Sequence, residues 1–115
     1  MSDTPEGLIT IDDFAKVKLK TARVLSCEKH PDADKLLVLQ IEVGKEERQL
    51  VAGLAEHYAP DELVGRTIVI VANLKPAKLR GKESQGMLLA ANTPEGGAVV
   101  LAIDSDDMPS GAKVS

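Results

Sequence analysis

The chain has 115 residues, enough for one domain with a single hydrophobic core, and its 43% hydrophobic and 28% charged residues are ordinary for a soluble globular protein. The formal net charge of −4 excludes a general polyanion binder that coats nucleic acid with its whole surface. Phe14 and Tyr58 are the only aromatic residues, which excludes a module that reads bases by stacking them on several exposed rings.

The apolar runs and the cysteine content indicate a cellular compartment. No apolar run is much longer than a strand, and no charged-then-apolar leader opens the sequence, so we expect a cytoplasmic protein without membrane association. The single cysteine, Cys27, permits no internal disulfide, which agrees with a reducing compartment. Because it lies in a β-like run, we interpret it as a small core residue rather than a nucleophile.

The N-terminal part predicts a lead-in, a short helix and a bent strand. Residues 1–8 are polar and are typical of a disordered lead-in or an interdomain linker, so we assign one domain to residues 9–115. Thr10 as N-cap and Asp13 three residues later predict a helix of one or two turns. The alternation that follows predicts a half-buried strand, and a shift in its apolar phase predicts a β-bulge near Thr21.

Residues 30–35 then interrupt the β pattern with turn formers. His30 and two aspartates raise the alternative of a metal site. A metal ion needs several convergent ligands, however, and the sequence has no second cluster of ligand residues to complete such a site. Turn chemistry explains Pro31 and the aspartates, so we expect neither a metal nor a cofactor. Lys35, a lone cation at the end of this loop, is a candidate contact.

The middle of the chain predicts a hairpin, a helix and a further strand. Residues 36–52 alternate on either side of a tight turn at 44–46, which indicates a β-hairpin. Pro60 and the acids after it favour a short helix that Gly65 closes. Residues 67–72 form an apolar run of strand length.

Cations are concentrated directly after this strand. Four of them precede the first acid of the segment: Lys75, Lys78, Arg80 and Lys82. A second apolar run, 87–91, follows, and a loop held between two core strands is a common place for binding residues. A solvated hairpin loop would have the same composition, so both interpretations stay open at this point. A final apolar strand at 98–103 needs cover on both faces, which the barrel and a second subunit could supply.

Together these elements predict an all-β protein: a five-stranded oligonucleotide-binding (OB-fold) barrel with short helices and additional C-terminal strands. Such barrels bind ligands with the loop between strands one and two and the loop between strands four and five. Those loops are residues 30–35 and 73–86 here. Lys35 and the basic stretch are therefore expected on one face.

The sequence also resembles a known family over nearly its whole length from Ile9 onward. The motifs that carry the resemblance are Asp12-Asp13-Phe14-Ala15-Lys16-Val17, His30-Pro31-Asp32-Ala33-Asp34-Lys35-Leu36, Asn73-Leu74-Lys75-Pro76, Arg80-Gly81 and Ser84-Gln85-Gly86-Met87. In this order they resemble the tRNA-binding domain family. That family includes the C-terminal domain of bacterial methionyl-tRNA synthetases, free-standing tRNA-binding proteins and the cytokine-like domains of some eukaryotic synthetases.

The resemblance implies a non-catalytic barrel that binds tRNA by shape rather than by sequence, commonly as a homodimer. Carried over by position, the residues it implicates in tRNA contact are Lys35, Asn73, Lys75, Lys78, Arg80, Ser84 and Met87. Their chemistry suits these roles, because cations can meet phosphates and polar side chains can bond to 2′-hydroxyls. The homodimer would use the segment around Phe14 and the apolar C-terminal strands.

Rival interpretations come from the same fold and from enzymes. An export-related, chaperone-like relative would bind peptides in an apolar groove, but Ser84 and Met87 favour the tRNA branch. Residues 81–84 suggest a phosphate loop only weakly, because Pro76 stands where its first glycine belongs. No nucleophile has a supporting base, so we expect no catalysis by this chain alone. The sequence fits equally a free-standing protein and a piece of a methionine-tRNA ligase.

Overall fold

Strands dominate the structure, a computed structural model that describes residues 7–105 and 107–115. The predicted lead-in lies outside these residues except for its last two positions. In chain order the elements are α1 (Ile11–Phe14), β1 (Leu19–Lys29), β2 (Leu37–Val43), β3 (Glu46–Ala52), α2 (Pro60–Leu63), β4 (Thr67–Val71), β5 (Ala77–Leu79), β6 (Lys82–Ser84), β7 (Met87–Leu88), β8 (Ala90–Asn92), β9 (Ala98–Val100) and β10 (Lys113–Val114).

The main sheet is antiparallel and has the order β3-β2-β1-β4-β7, with β10 paired to β1. The long strand β1 has three neighbours, because its first half pairs with both β4 and β10 and its second half pairs with β2. The register between β1 and β2 shifts between Val24 and Ser26, which marks a bulge where the strand can bend. One strand thereby contributes to both sides of a curled sheet.

The bulge predicted near Thr21 is wrong in position. Thr21 and Ala22 are both buried, and both pair with β4 in regular register. The C-terminal tail covers this part of the strand: the Thr21 hydroxyl donates to the Pro109 carbonyl at 2.8 Å and accepts from the Ala112 amide at 2.9 Å. Burial on both faces, and not an extra residue, explains the change of apolar phase.

Strand β3 closes the curled sheet against the segment that follows β6. The Gln85 amide donates to the Gln49 carbonyl at 2.7 Å, and the Gln85 side-chain oxygen accepts from the Gln49 amide at 3.0 Å. Aliphatic side chains fill the interior, with Leu39, Ile41 and Leu50 among those fully buried. This curled, mostly-β half-barrel confirms the fold class predicted from the sequence.

Three local predictions are confirmed. A capping box joins Thr10 and Asp13 at the start of α1. Strands β2 and β3 form the expected hairpin, in which Val43 pairs with Glu46 across a two-residue turn. Helix α2 begins at Pro60 and is followed by a glycine with a φ of 87°. Each of these depends on residues close in sequence, which explains why local patterning was sufficient.

The predicted strands at 87–91 and 98–103 are divided in the structure. Strand β7 stays in the main sheet beside β4, whereas β8 leaves it and pairs with β9. Val99 and Leu101 keep 53% and 41% of their surface exposed, so this last segment is only partly covered within one copy of the chain. Neither described helix is long and apolar enough to cross a membrane.

Candidate nucleic-acid interface

The basic stretch folds as a small hairpin of its own, in which Arg80 and Gly81 join β5 to β6. Leu79 pairs with Lys82, so the two residues between them form a two-residue turn, and both have positive φ, 53° and 88°. This pattern is that of a type I′ turn, which favours Asn or Gly because an L side chain in the left-handed region costs about 1–2 kcal/mol. Arg80 keeps a cation at the hairpin tip despite that cost, which points to a role outside folding.

Three cations of this segment are available to an anion: Lys75, Lys78 and Arg80. All three are exposed, and neither of the two ion pairs within the described part of the chain involves them. Glu83 lies opposite Lys78 in the hairpin register but forms no ion pair with it. In a chain with a net charge of −4, this surface is a local concentration of positive charge.

The loop between β1 and β2 lies against this hairpin. The His30 ring nitrogen Nε2 is 3.1 Å from the Leu79 carbonyl oxygen, and the Arg80 guanidinium donates to the Asp32 carbonyl at 3.3 Å. Lys35 is exposed at the far end of the loop. The two loops expected on one face are therefore adjacent, and hydrogen bonds join them.

Ser84 and Gly86 hold the base of the hairpin against the barrel. Ser84 is 2% exposed, and its hydroxyl accepts from the Val51 amide at 3.0 Å and donates to the Gly86 carbonyl at 2.8 Å. Gly86 has a φ of 123°, and a Cβ there would lie 2.9 Å from the Val71 carbonyl oxygen. The Ser84 hydroxyl is thus occupied and buried, in contrast to the RNA contact that the resemblance implies for it.

Asn73 anchors the start of the basic stretch. Its side-chain oxygen accepts from the Lys18 amide at 2.9 Å, and its side-chain nitrogen donates to the Lys16 carbonyl at 2.7 Å. Although exposed, the side chain therefore fastens the end of β4 to the segment that precedes β1. Met87 is half-buried in β7 opposite Val71, so part of its side chain remains accessible.

Arg48 on β3 supports the same region, and sequence patterning missed it. Its guanidinium donates to the Ala72 carbonyl at 2.6 Å and forms an ion pair with Glu46 at 2.7 Å. The neighbouring Gln49 side chain donates to the Glu83 carbonyl at 2.8 Å. Both side chains hold the two ends of the basic stretch against β3. In the sequence they look like ordinary polar positions of a strand, so no local signal marks them.

The one cysteine is unsuited to nucleophilic chemistry. Burial, with a further contribution from Glu28, raises the pKa of the Cys27 thiol to about 11. The thiolate is therefore scarce at neutral pH, and the side chain packs against the core. Among residues 7–105 and 107–115, no group of three His, Cys, Asp or Glu side chains is placed to hold a metal ion.

Comparison with known sequences finds a matching family model and related methionine-tRNA ligases. A family model described as "Putative tRNA binding domain" matches residues 19–113. The methionine-tRNA ligase of Thermotoga maritima is 59% identical over 110 residues, which cover 96% of this chain and 17% of the ligase. That of Clostridium tetani is 50% identical over 106 residues, covering 92% of this chain and 16% of the ligase. The chain thus spans only a small part of these relatives.

Solved structures share the fold over almost the whole chain. A MetRS-related protein from Pyrococcus horikoshii is 39% identical with a TM-score of 0.89, covering 94% of this chain and 98% of that one. The chaperone CsaA from Bacillus anthracis is 27% identical with a TM-score of 0.85, covering 95% and 100%. With a family model that matches most of its length and relatives at this identity, the chain belongs to the tRNA-binding domain family.

Proposed function

We propose that this domain binds tRNA, without catalysing a reaction itself, through the hairpin cations Lys75, Lys78 and Arg80 and through Lys35 on the adjoining loop. The observation that carries the proposal is the pair of adjacent loops with exposed cations in an otherwise acidic chain. Lys and Arg can neutralise phosphates along a folded RNA backbone. Since the chain has only two aromatic residues, it recognises the shape of the RNA rather than stacking on its bases.

The remaining residues that the resemblance implicates divide between two roles. Met87 is partly accessible beside the hairpin, and we assign it an apolar contact with a sugar or base. Asn73 and Ser84 support binding indirectly: they hold the basic stretch in place, because their side chains already bond to the backbone of neighbouring segments.

The ligase relatives suggest the wider context of this binding. Nearly all of this chain matches a segment that makes up 17% of the Thermotoga maritima methionine-tRNA ligase. The domain would then deliver tRNA to the catalytic part of a methionine-tRNA ligase, within one polypeptide or as a partner. The ligation chemistry itself would belong to that catalytic part.

A second copy of the chain is the proposed partner for the apolar surface at the N-terminal end. Ile11, Phe14 and Val17 are exposed by 78%, 38% and 41%, and together with Val114 they line one groove. Burying such side chains between two copies would remove apolar surface from water. Sedimentation equilibrium tests this: we expect a dimer at micromolar concentration, and a monomer there would contradict it.

A competition titration tests the tRNA proposal. Fluorescent tRNA is bound to the protein, and unlabelled tRNA, single-stranded RNA of the same length and an unfolded apolar peptide are added separately. We expect only folded tRNA to displace the label efficiently. Equal displacement by single-stranded RNA would contradict recognition by shape. Tight binding of the peptide alone would favour the chaperone function named for the Bacillus anthracis structure.

A further inference from the structure

A buried histidine connects the two loops of the candidate interface. His30 is 4% exposed, at the start of the loop that carries Lys35. Its Nδ1 accepts from the Asp32 amide at 2.9 Å, and its Nε2 lies 3.1 Å from the Leu79 carbonyl oxygen. Both ring nitrogens therefore have a partner, one on each loop.

The two partners determine the protonation state of the ring. A backbone N–H can only donate and a carbonyl oxygen can only accept, so Nδ1 of His30 must be without hydrogen and Nε2 must carry one. A second proton on Nδ1 would place two N–H groups face to face and break the bond from Asp32. Only the neutral Nε2–H form of His30 satisfies both loops.

The connection lies next to the cations proposed to contact tRNA. Leu79 immediately precedes Arg80, and Arg80 itself donates to the Asp32 carbonyl at 3.3 Å. The Asp32 peptide region is thus held from both sides, by a buried ring and by an exposed guanidinium. Because the ring is buried, its two bonds are shielded from competition by water.

We propose that neutral His30 is a positioning residue, which holds the loop of Lys35 and the hairpin of Lys78 and Arg80 at the separation that tRNA binding requires. The proposal rests on the proposed function, since it assigns both loops to one tRNA surface. His30 itself is too buried to contact RNA. Its loss would leave all four cations present but misplaced.

The sign of the pH dependence separates this role from a direct contact. If His30 met a phosphate, a proton on the ring would strengthen tRNA binding. In the positioning role the same proton breaks the Asp32 bond and weakens binding. The two segments that bond to the ring carry charged residues: Lys29, Asp32, Asp34 and Lys35 in residues 29–35, and Lys78, Arg80, Lys82 and Glu83 in residues 77–84.

Two variants of His30 each remove one of its two hydrogen bonds and keep the other. In His30→Asn the side-chain oxygen can still accept from the Asp32 amide, as in an Asx turn, but the bond to Leu79 is lost. In His30→Gln the side-chain amide can still donate to Leu79, but the Asp32 bond is lost. His57→Gln is the matched control, because His57 is the other histidine of the chain and is exposed.

The test measures tRNA affinity of the intact protein by fluorescence anisotropy between acidic and neutral pH. As the pH is lowered, we expect wild type and His57→Gln to lose affinity relative to the two His30 variants, because a proton on the His30 ring breaks the Asp32 bond. Asp32, Asp34 and Glu83 are present in all four proteins, so their effect cancels in this comparison. At neutral pH both His30 variants should bind about tenfold more weakly than wild type, the equivalent of one hydrogen bond, and they should lack this additional loss on acidification. Wild-type affinity that rises relative to the His30 variants on acidification, or His30 variants with wild-type affinity at neutral pH, would overturn the proposal.

A measurement on the wild-type protein covers the case in which the variants do not fold. The ¹⁵N chemical shifts of the His30 ring report its tautomer directly, and we expect the neutral Nε2–H form at neutral pH. A charged ring or the Nδ1–H form would overturn the proposal. Wild-type protein with this tautomer that nevertheless does not bind tRNA at neutral pH would refute the proposed function, and the positioning role with it.

Discussion

Removing the three hairpin cations together tests the electrostatic basis of tRNA binding. In the triple variant Lys75→Ala, Lys78→Ala and Arg80→Ala, three exposed charges without ion pairs are lost. If each neutralises one phosphate, the slope of log affinity against log salt concentration becomes shallower by about 2 to 3 units. Over a fourfold rise in salt, the wild-type protein should therefore lose roughly 15 to 60 times more affinity than the variant.

The assay is a filter-binding or gel-shift titration of tRNA at several salt concentrations. A control variant removes the same number of charges elsewhere, through Lys45→Ala, Arg66→Ala and Lys113→Ala, all at exposed positions. Both variants should unfold close to the wild-type midpoint, because exposed substitutions usually change stability by no more than about 0.5 kcal/mol each. Unchanged affinity and slope in the hairpin variant, or an equal loss in the control, would show that the hairpin cations do not neutralise phosphates of tRNA.

Three further predictions concern single side chains. Arg80→Asn relieves the left-handed backbone strain, so it should raise the free energy of unfolding in urea by up to about 1 kcal/mol and weaken tRNA binding. A variant that binds tRNA as well as wild type would contradict a functional role for the arginine. Ser84→Ala leaves the Val51 amide unpaired and should lower the free energy of unfolding by about 1–3 kcal/mol; an unchanged urea midpoint would contradict the buried bond. The Cys27 thiol, with a pKa of about 11 against the ordinary 9.0, should react with iodoacetamide at pH 8 much more slowly than in the unfolded chain. Because its folded pKa is the higher one, its contribution to stability is present below about pH 9 and is lost as the pH rises toward about 11; an alkaline loss of stability unchanged in Cys27→Ala would contradict this.

The sequence predicted those features of the structure that depend on residues close together in the chain. The capping box at Thr10 and Asp13, the β2–β3 hairpin and the cation cluster each depend on neighbours in the chain, and patterning located all of them. Loop order in a barrel also predicted that Lys35 and the hairpin would adjoin, because topology alone places those loops at one end of the sheet.

Long-range contacts explain what the sequence did not predict. The tail bonds to Thr21 from residues more than eighty positions away, which buried a face that alternation had assigned to solvent. Ser84 is polar and follows a basic loop, yet its hydroxyl is enclosed by β3. Arg48 and His30 join the segments of the candidate interface through bonds to backbone atoms, and a bond to a backbone atom leaves no mark in the sequence of its partner.

In the proposed complex, tRNA contacts the hairpin and the adjoining loop. Amide NMR spectra of ¹⁵N-labelled protein, recorded as tRNA is added, locate this contact residue by residue. We predict shifts and broadening concentrated around Lys35 and in residues 75–83, with little change at the β2–β3 turn near Lys45. Perturbations concentrated instead in the groove around Phe14, or spread evenly over the barrel, would contradict tRNA binding at these two loops.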